Sequence, residues 1–83
     1  METAIPSPNF YGYVCDCNDK EIMGTHIFYS SEIALHWLSL ISKVYDYATV
    51  ILTDANDYIL AEISNGLVTF PEELIQAQKE GRF

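Results

Sequence analysis

Ser30-Ser31-Glu32-Ile33-Ala34-Leu35-His36-Trp37-Leu38-Ser39-Leu40-Ile41-Ser42-Lys43-Val44-Tyr45 is the stretch whose reading decides the fold. At the helical period Ala34, Trp37, Leu38, Ile41, Val44 and Tyr45 fall on one side, with Ile33 and Leu40 beside them. Glu32, His36, Ser39, Lys43 and Asp46 fall opposite. An apolar stripe that wide needs a sheet beneath it, and the segments on both sides read as strands. The helix start is plausible on its own chemistry. A serine at Ser30 or Ser31 can accept from the first unpaired N–H groups, and Glu32 stands where the helix dipole favours a negative charge.

The whole chain has 83 residues, the size of one domain with one core. Nearly half its residues are hydrophobic, with one Trp, six Tyr and four Phe, a composition of packed rather than disordered chains. Twelve Asp and Glu against four Lys and Arg give a net charge of −8. That balance opposes direct contact with nucleic acid or an anionic membrane, since phosphates must be met by cations. It points to basic or neutral partners, although net charge also serves solubility alone. The opening Met1-Glu2-Thr3-Ala4-Ile5-Pro6-Ser7-Pro8 lacks the pattern of a signal peptide, and no apolar run is long enough to span a bilayer, so a cytoplasmic location is expected. Cys15 and Cys17 stand too close in sequence to staple distant parts of a fold, which suits a reducing compartment.

Upstream of the helix, residues 1–9 read as an extended N-terminal arm and residues 10–83 as a single α+β domain. Phe10 to Cys17 and Ile22 to Tyr29 read as a β-hairpin around Asn18-Asp19-Lys20-Glu21. If Cys17 pairs with Ile22, then Tyr11, Tyr13, Cys15, Cys17, Ile22, His26 and Phe28 share one face. Phe10, Val14, Asp16, Met23, Thr25, Ile27 and Tyr29 share the other, expected to point outward. A bulge of one residue would exchange the faces of the second strand.

Downstream, Ala48 to Thr53 is apolar on both alternations and reads as a central strand. Tyr58 to Ser64 alternates, with Ile59, Ala61 and Ile63 on one face and Tyr58, Leu60, Glu62 and Ser64 on the other. Asn65-Gly66 is a type I′ hairpin signal that pairs Ser64 with Leu67 and brings Val68 and Phe70 to the inner face. Thr69-Phe70-Pro71-Glu72 fits a capping box before a short helix with a thin apolar stripe, Leu74 and Ala77. The expected fold is α+β: an antiparallel sheet in β-β-α-β-β order, extended by a short strand and helix, with one long amphipathic helix packed on one face. No internal repeat is evident.

Few residues could carry chemistry. Cys15, Cys17 and His26, with His36, form the one possible soft-metal set, but zinc wants a tetrahedron and a Cys-x-Cys pair in a strand is poorly spaced for it. Asp16 and Asp19 would raise rather than lower a neighbouring thiol pKa. Asp54-Ala55-Asn56-Asp57 imitates the opening of a calcium loop, yet Ile59 and Asn65 occupy the positions that need glycine and glutamate. No nucleophile elbow or phosphate-binding glycine loop is present, so no catalytic residue, metal or cofactor is assigned.

What remains is surface. The outward face of the last strands would carry Tyr58, Leu60 and Leu67 beside Glu62, with Asp54 and Asp57 at the adjoining turn. Apolar anchors ringed by acid form a candidate partner-binding site, unless the C-terminal helix or N-terminal arm covers them. Dispersed carboxylates can also imitate a DNA phosphate track, or be merely solvated.

The size, the charge, the strand-strand-helix-strand-strand order around Ser31 to Tyr45, and the run from Thr49-Val50-Ile51-Leu52 to Phe70-Pro71-Glu72-Glu73-Leu74 give a class-level resemblance. The chain resembles the small acidic anti-CRISPR proteins that phages encode against host defences. The resemblance implies a non-enzymatic, cofactor-free inhibitor acting in the host cytoplasm, whose acidic surface blocks a basic nucleic-acid-binding site. It assigns no residue. Alternatives are a metal- or thiol-dependent protein using Cys15, Cys17 and His26, and a homodimeric regulatory subunit whose outer strands pair.

Overall fold

The computed structural model describes residues 9–18 and 20–83, and the expected N-terminal arm otherwise lies outside them. Seven elements follow in order: β1 (Phe10–Cys15), β2 (Glu21–Phe28), α1 (Ser31–Val44), β3 (Thr49–Asp54), β4 (Ile59–Ser64), β5 (Leu67–Phe70) and α2 (Glu72–Lys79). All five strands join one antiparallel sheet in the spatial order β2-β1-β3-β4-β5. The architecture is α+β, with a helix of 14 residues and a second of 8.

Helix α1 lies across β1, β2 and β3. Ala34 and Leu38 meet Val14, Val50, Leu52, Ala61 and Ile63 in the core, and Leu38, Ile63, Val14 and Val50 are its largest fully buried side chains. Each such burial contributes about 1.5–3 kcal/mol. Only part of the apolar stripe of α1 is used. Ile33, Leu40 and Val44 are exposed, because the arc touching a sheet is narrower than the arc that carries apolar side chains. Ser30 is extended at the N-cap but makes no side-chain cap.

Two turns set the register of the sheet, and their described residues make the same hydrogen bonds. Asp16-Cys17-Asn18-Asp19-Lys20 and Asp54-Ala55-Asn56-Asp57-Tyr58 share Asp-x-Asn-Asp. Asp16 Oδ1 accepts from the N–H groups of Asn18 and Lys20, both at 2.9 Å. Asp54 Oδ1 accepts from Asn56 and Tyr58 at 2.8 and 3.0 Å. In each loop the first N–H donates to the last carbonyl, Asp16 to Lys20 and Asp54 to Tyr58. The equivalence continues into the ladders. Val14↔Met23 and Cys15↔Glu21 in the first hairpin become Leu52↔Ala61 and Thr53↔Ile59 in the second, with a bulge at the same place. Tyr13 is paired with its own counterpart Ile51, so a local two-fold axis relates the hairpins through the centre of the β1–β3 ladder. The chain therefore contains an internal repeat, contrary to expectation. Three shared residues are too few to reveal it, whereas hydrogen bonds and register do.

These turns and bulges correct the expected faces. The loop that Asp16 closes spans residues 16–20, so Cys15 rather than Cys17 reaches the second strand, and further bulging lies between Gly12 and Val14. Phe10, Val14 and Met23, expected outward, therefore join Phe28 on the helix side, and Tyr11, Tyr13 and Cys15, expected inward, face away from it. Ile27 pairs with Tyr11 on the outward face, and Val14 is fully buried. The bulge at Leu60 places Ile59 opposite Thr53, which carries it out of the expected inner set to 48% exposure. Asn65 and Gly66 adopt φ of 52° and 79°, as the hairpin signal requires, and Ser64 pairs with Leu67. Val68 reaches the core beside Ile63, but a bulge pairs Phe70 with Glu62 and exposes it to 48%. The capping box does not form. Pro71, after a cis peptide bond, occupies the N-cap, and the Thr69 hydroxyl donates to the Glu62 carbonyl instead.

Helix α2 finishes one edge of the sheet. Ala77 is buried, and Leu74 and Ile75 pack on the core. Gln78 lies against the outer side of β5. Its Oε1 accepts from Val68 N–H and its Nε2 donates to Gly66 C=O, both at 2.9 Å. One amide thus satisfies the backbone groups that a further strand would otherwise have used.

Candidate functional site

The helix side of the sheet is filled, and the opposite side is where the chain shows itself. Alternation along β1 and β3 places Tyr11, Tyr13, Cys15, Thr49, Ile51 and Thr53 on that outward side, since Gly12, Val14, Val50 and Leu52 face α1. The ladders add Ile27 opposite Tyr11, Ile59 opposite Thr53, Glu62 opposite Ile51, Phe70 opposite Glu62 and Leu67 opposite Ser64. The centre of this surface is aromatic and aliphatic. Ile27, Ile59, Leu67 and Phe70 are exposed around it.

Its charges have one sign. None of the four cations lies in a strand: Lys20 is in the first turn, Lys43 on α1, Lys79 at the end of α2, and Arg82 beyond it. Glu21, Asp54 and Glu62 are the strand carboxylates. The one ion pair among the described residues, Arg82 to Glu80 at 2.8 Å, lies at the far end of the chain. An incoming cation would thus find Glu62 with no lysine or arginine competing for it on any strand.

The six residues expected to bind a partner divide into two groups. Glu62 and Leu67 lie on the outward face as anticipated, with Glu62 half-buried at its middle. Leu60 is half-buried at the bulge. Asp54 is committed to its turn through the two N–H groups that it accepts. Asp57, at φ 65°, and Tyr58 are exposed in that turn, at the opposite end of β4 from Leu67 and roughly 20 Å away along the strand. The face is also larger than expected. Tyr11, Tyr13, Ile27, Ile51, Ile59 and Phe70 belong to it, and the bulges that bring Ile59 and Phe70 there leave no clear mark in the alternation.

Cys15, Cys17 and His26 do not come together. Cys15 is on the outward face near Thr49, and Cys17 is exposed in the turn. His26 is on the helix side, its ring 5.2 Å from that of Trp37, with Nδ1 3.0 Å from the Gly24 carbonyl. Among the described residues there is no pocket and no group of three or more His, Cys, Asp or Glu placed to hold a metal. No helix among them is long and apolar enough to cross a membrane. Compared with known protein families, curated proteins and solved structures, the chain matches none.

Proposed function

We propose that this chain is a non-enzymatic, protein-binding inhibitor. Its acidic, aromatic sheet face covers a basic nucleic-acid-binding surface of a host complex in the cytoplasm, in the manner of the anti-CRISPR proteins that it resembles. The observation that carries the reading is the outward face itself. Tyr11, Tyr13, Ile51, Ile59, Leu67 and Phe70 surround Glu62, and no strand supplies a cation. Apolar anchors supply most of the affinity of such a surface, and the uncompensated carboxylates supply attraction and orientation toward Lys and Arg. Glu62 is the central charge, Leu67 and Tyr58 are anchors at the two ends, and Leu60 supports them. Asp57 steers from the turn that Asp54 holds.

The test is capture of a partner from host lysate by the immobilised protein, followed by elution in rising salt. A basic partner released progressively by salt is the expected outcome, because screened charges lose their attraction beyond a Debye length of about 8 Å at physiological ionic strength. A partner held equally at low and high salt would remove the electrostatic part of the reading. Retention of no protein would remove the whole.

A further inference from the structure

The two edges of the sheet are finished differently. At β5 the Gln78 amide occupies Val68 N–H and Gly66 C=O. At β2, the other edge, no described element covers the outer side. The internal two-fold gives this difference a meaning. Thr49↔Ser64 in the second hairpin corresponds to Tyr11↔Ile27 in the first, and Ser64 is the residue on which β5 begins to pair, through Leu67. The position equivalent to the seat of β5 is therefore the outer edge of β2 around Ile27.

The backbone at that point is turned the right way. Asn9 N–H donates to Phe28 C=O at 3.1 Å, which directs the pairing groups of Phe28 toward β1. By strand alternation those of Ile27 point away from the sheet. Its side chain is 52% exposed on the outward face, and Tyr29 just beyond is also exposed.

We infer that the outer edge of β2 accepts a sixth strand at Ile27, and that the strand is β2 of a second copy of this chain. Antiparallel pairing about a dyad at Ile27 lets each Ile27 N–H donate to the C=O of the other and sets the two exposed isoleucines side by side. Little of the chain's −8 charge lies at this edge, so a basic partner has nothing to meet there and a second copy is not repelled locally. Glu21 is the single charged residue of β2, beside Lys20, and it lies roughly 20 Å along the strand from the dyad. The two Glu21 carboxylates are then separated by several Debye lengths and do not oppose the pairing. Because Gln78 closes the opposite edge, pairing stops at a closed dimer and does not continue into a filament.

Sedimentation equilibrium decides the matter, read with circular dichroism and amide hydrogen exchange on the same samples. The wild-type chain is expected to approach twice its 9.4 kDa mass as concentration rises, with the Ile27 amide exchanging more slowly in parallel. Ile27→Lys puts two ammonium groups together at the dyad while leaving a half-exposed edge position. Its dimer should weaken by roughly tenfold or more with an unchanged dichroism spectrum. Wild-type protein that stays at 9.4 kDa at the highest soluble concentration overturns the inference. So does a dimer that Ile27→Lys leaves intact, or one in which the Ile27 amide gains no protection. Should Ile27→Lys fail to fold, the exchange of Ile27 in the wild-type chain still decides.

Discussion

Gly12 is where Trp37 of α1 presses on the sheet, and adding one methyl group there measures that contact. A Cβ on Gly12 would lie 2.5 and 2.6 Å from Cζ3 and Cη2 of Trp37, and 3.1 Å from Cε2 of Phe28. Carbon atoms prefer about 3.5–4.0 Å, so the indole must retreat by about 1 Å or more. It has little freedom to do so, since the Phe28 and His26 rings each sit 5.2 Å from it, centroid to centroid, and its backbone belongs to α1. Overpacking of this kind costs about 1–3 kcal/mol. The reduced entropy of the unfolded chain returns only about 0.4–1 kcal/mol. Gly12→Ala is therefore expected to destabilise the fold by about 1–2 kcal/mol. At this chain length each kcal/mol lowers the melting temperature by about 4–8 °C. Urea and thermal unfolding followed by circular dichroism give the number, and tryptophan emission reports the displaced indole. Gly24→Ala is the control. Nothing lies within 4 Å of its added Cβ, so it should be neutral or slightly stabilising. If Gly12→Ala behaves like Gly24→Ala, the packing of Trp37 against the sheet is wrong.

The repeated turns should respond alike: Asp16→Ala and Asp54→Ala each remove an acceptor of two N–H groups, and urea unfolding should show losses of about 1–2 kcal/mol that agree within about 0.5 kcal/mol. Gln78→Leu keeps the volume but strips the β5 edge of its partner, so Val68 N–H should lose exchange protection and the fold about 1–2 kcal/mol. Glu80 gives a pH signature. The Gln76 amide and then Arg82 hold its carboxyl below the ordinary 4.5, so its stabilisation is present above pH 4.5 and is lost as pH falls through the depressed value. Glu80→Gln should flatten that part of a stability–pH profile below pH 4.5, and an unchanged profile would contradict the pairing at the end of α2.

The elements were legible in the sequence where one local rule decided them. The 3.6-residue period over Ser31–Val44, the Asn65-Gly66 turn and the doubly apolar β3 all stand as read. Face assignment was less legible, because a single extra residue in a strand reverses it and a bulge leaves no clear compositional trace. Ile59, Phe70, Val14 and Met23 changed sides for that reason. Asp16 and Asp54 were visible as turn residues, but their common role as double acceptors was not, since that depends on backbone geometry. The candidate face was half legible. Glu62 and Leu67 came from simple alternation, whereas Tyr11, Tyr13 and Ile51 required knowing that β1 and β3 are neighbours.

The central claim is that the outward sheet face, rather than the exposed flank of α1, meets a cationic protein surface. The direct measurement compares two charge reversals for binding to the captured host partner by calorimetry. Glu62→Lys lies at the centre of the outward face, and Glu32→Lys lies on exposed α1. With both variants folded, Glu62→Lys should weaken binding by roughly tenfold or more, as expected when like charges are brought together at a contact, and Glu32→Lys by little. Equal affinity for Glu62→Lys and wild type, or a larger loss for Glu32→Lys, would contradict the account.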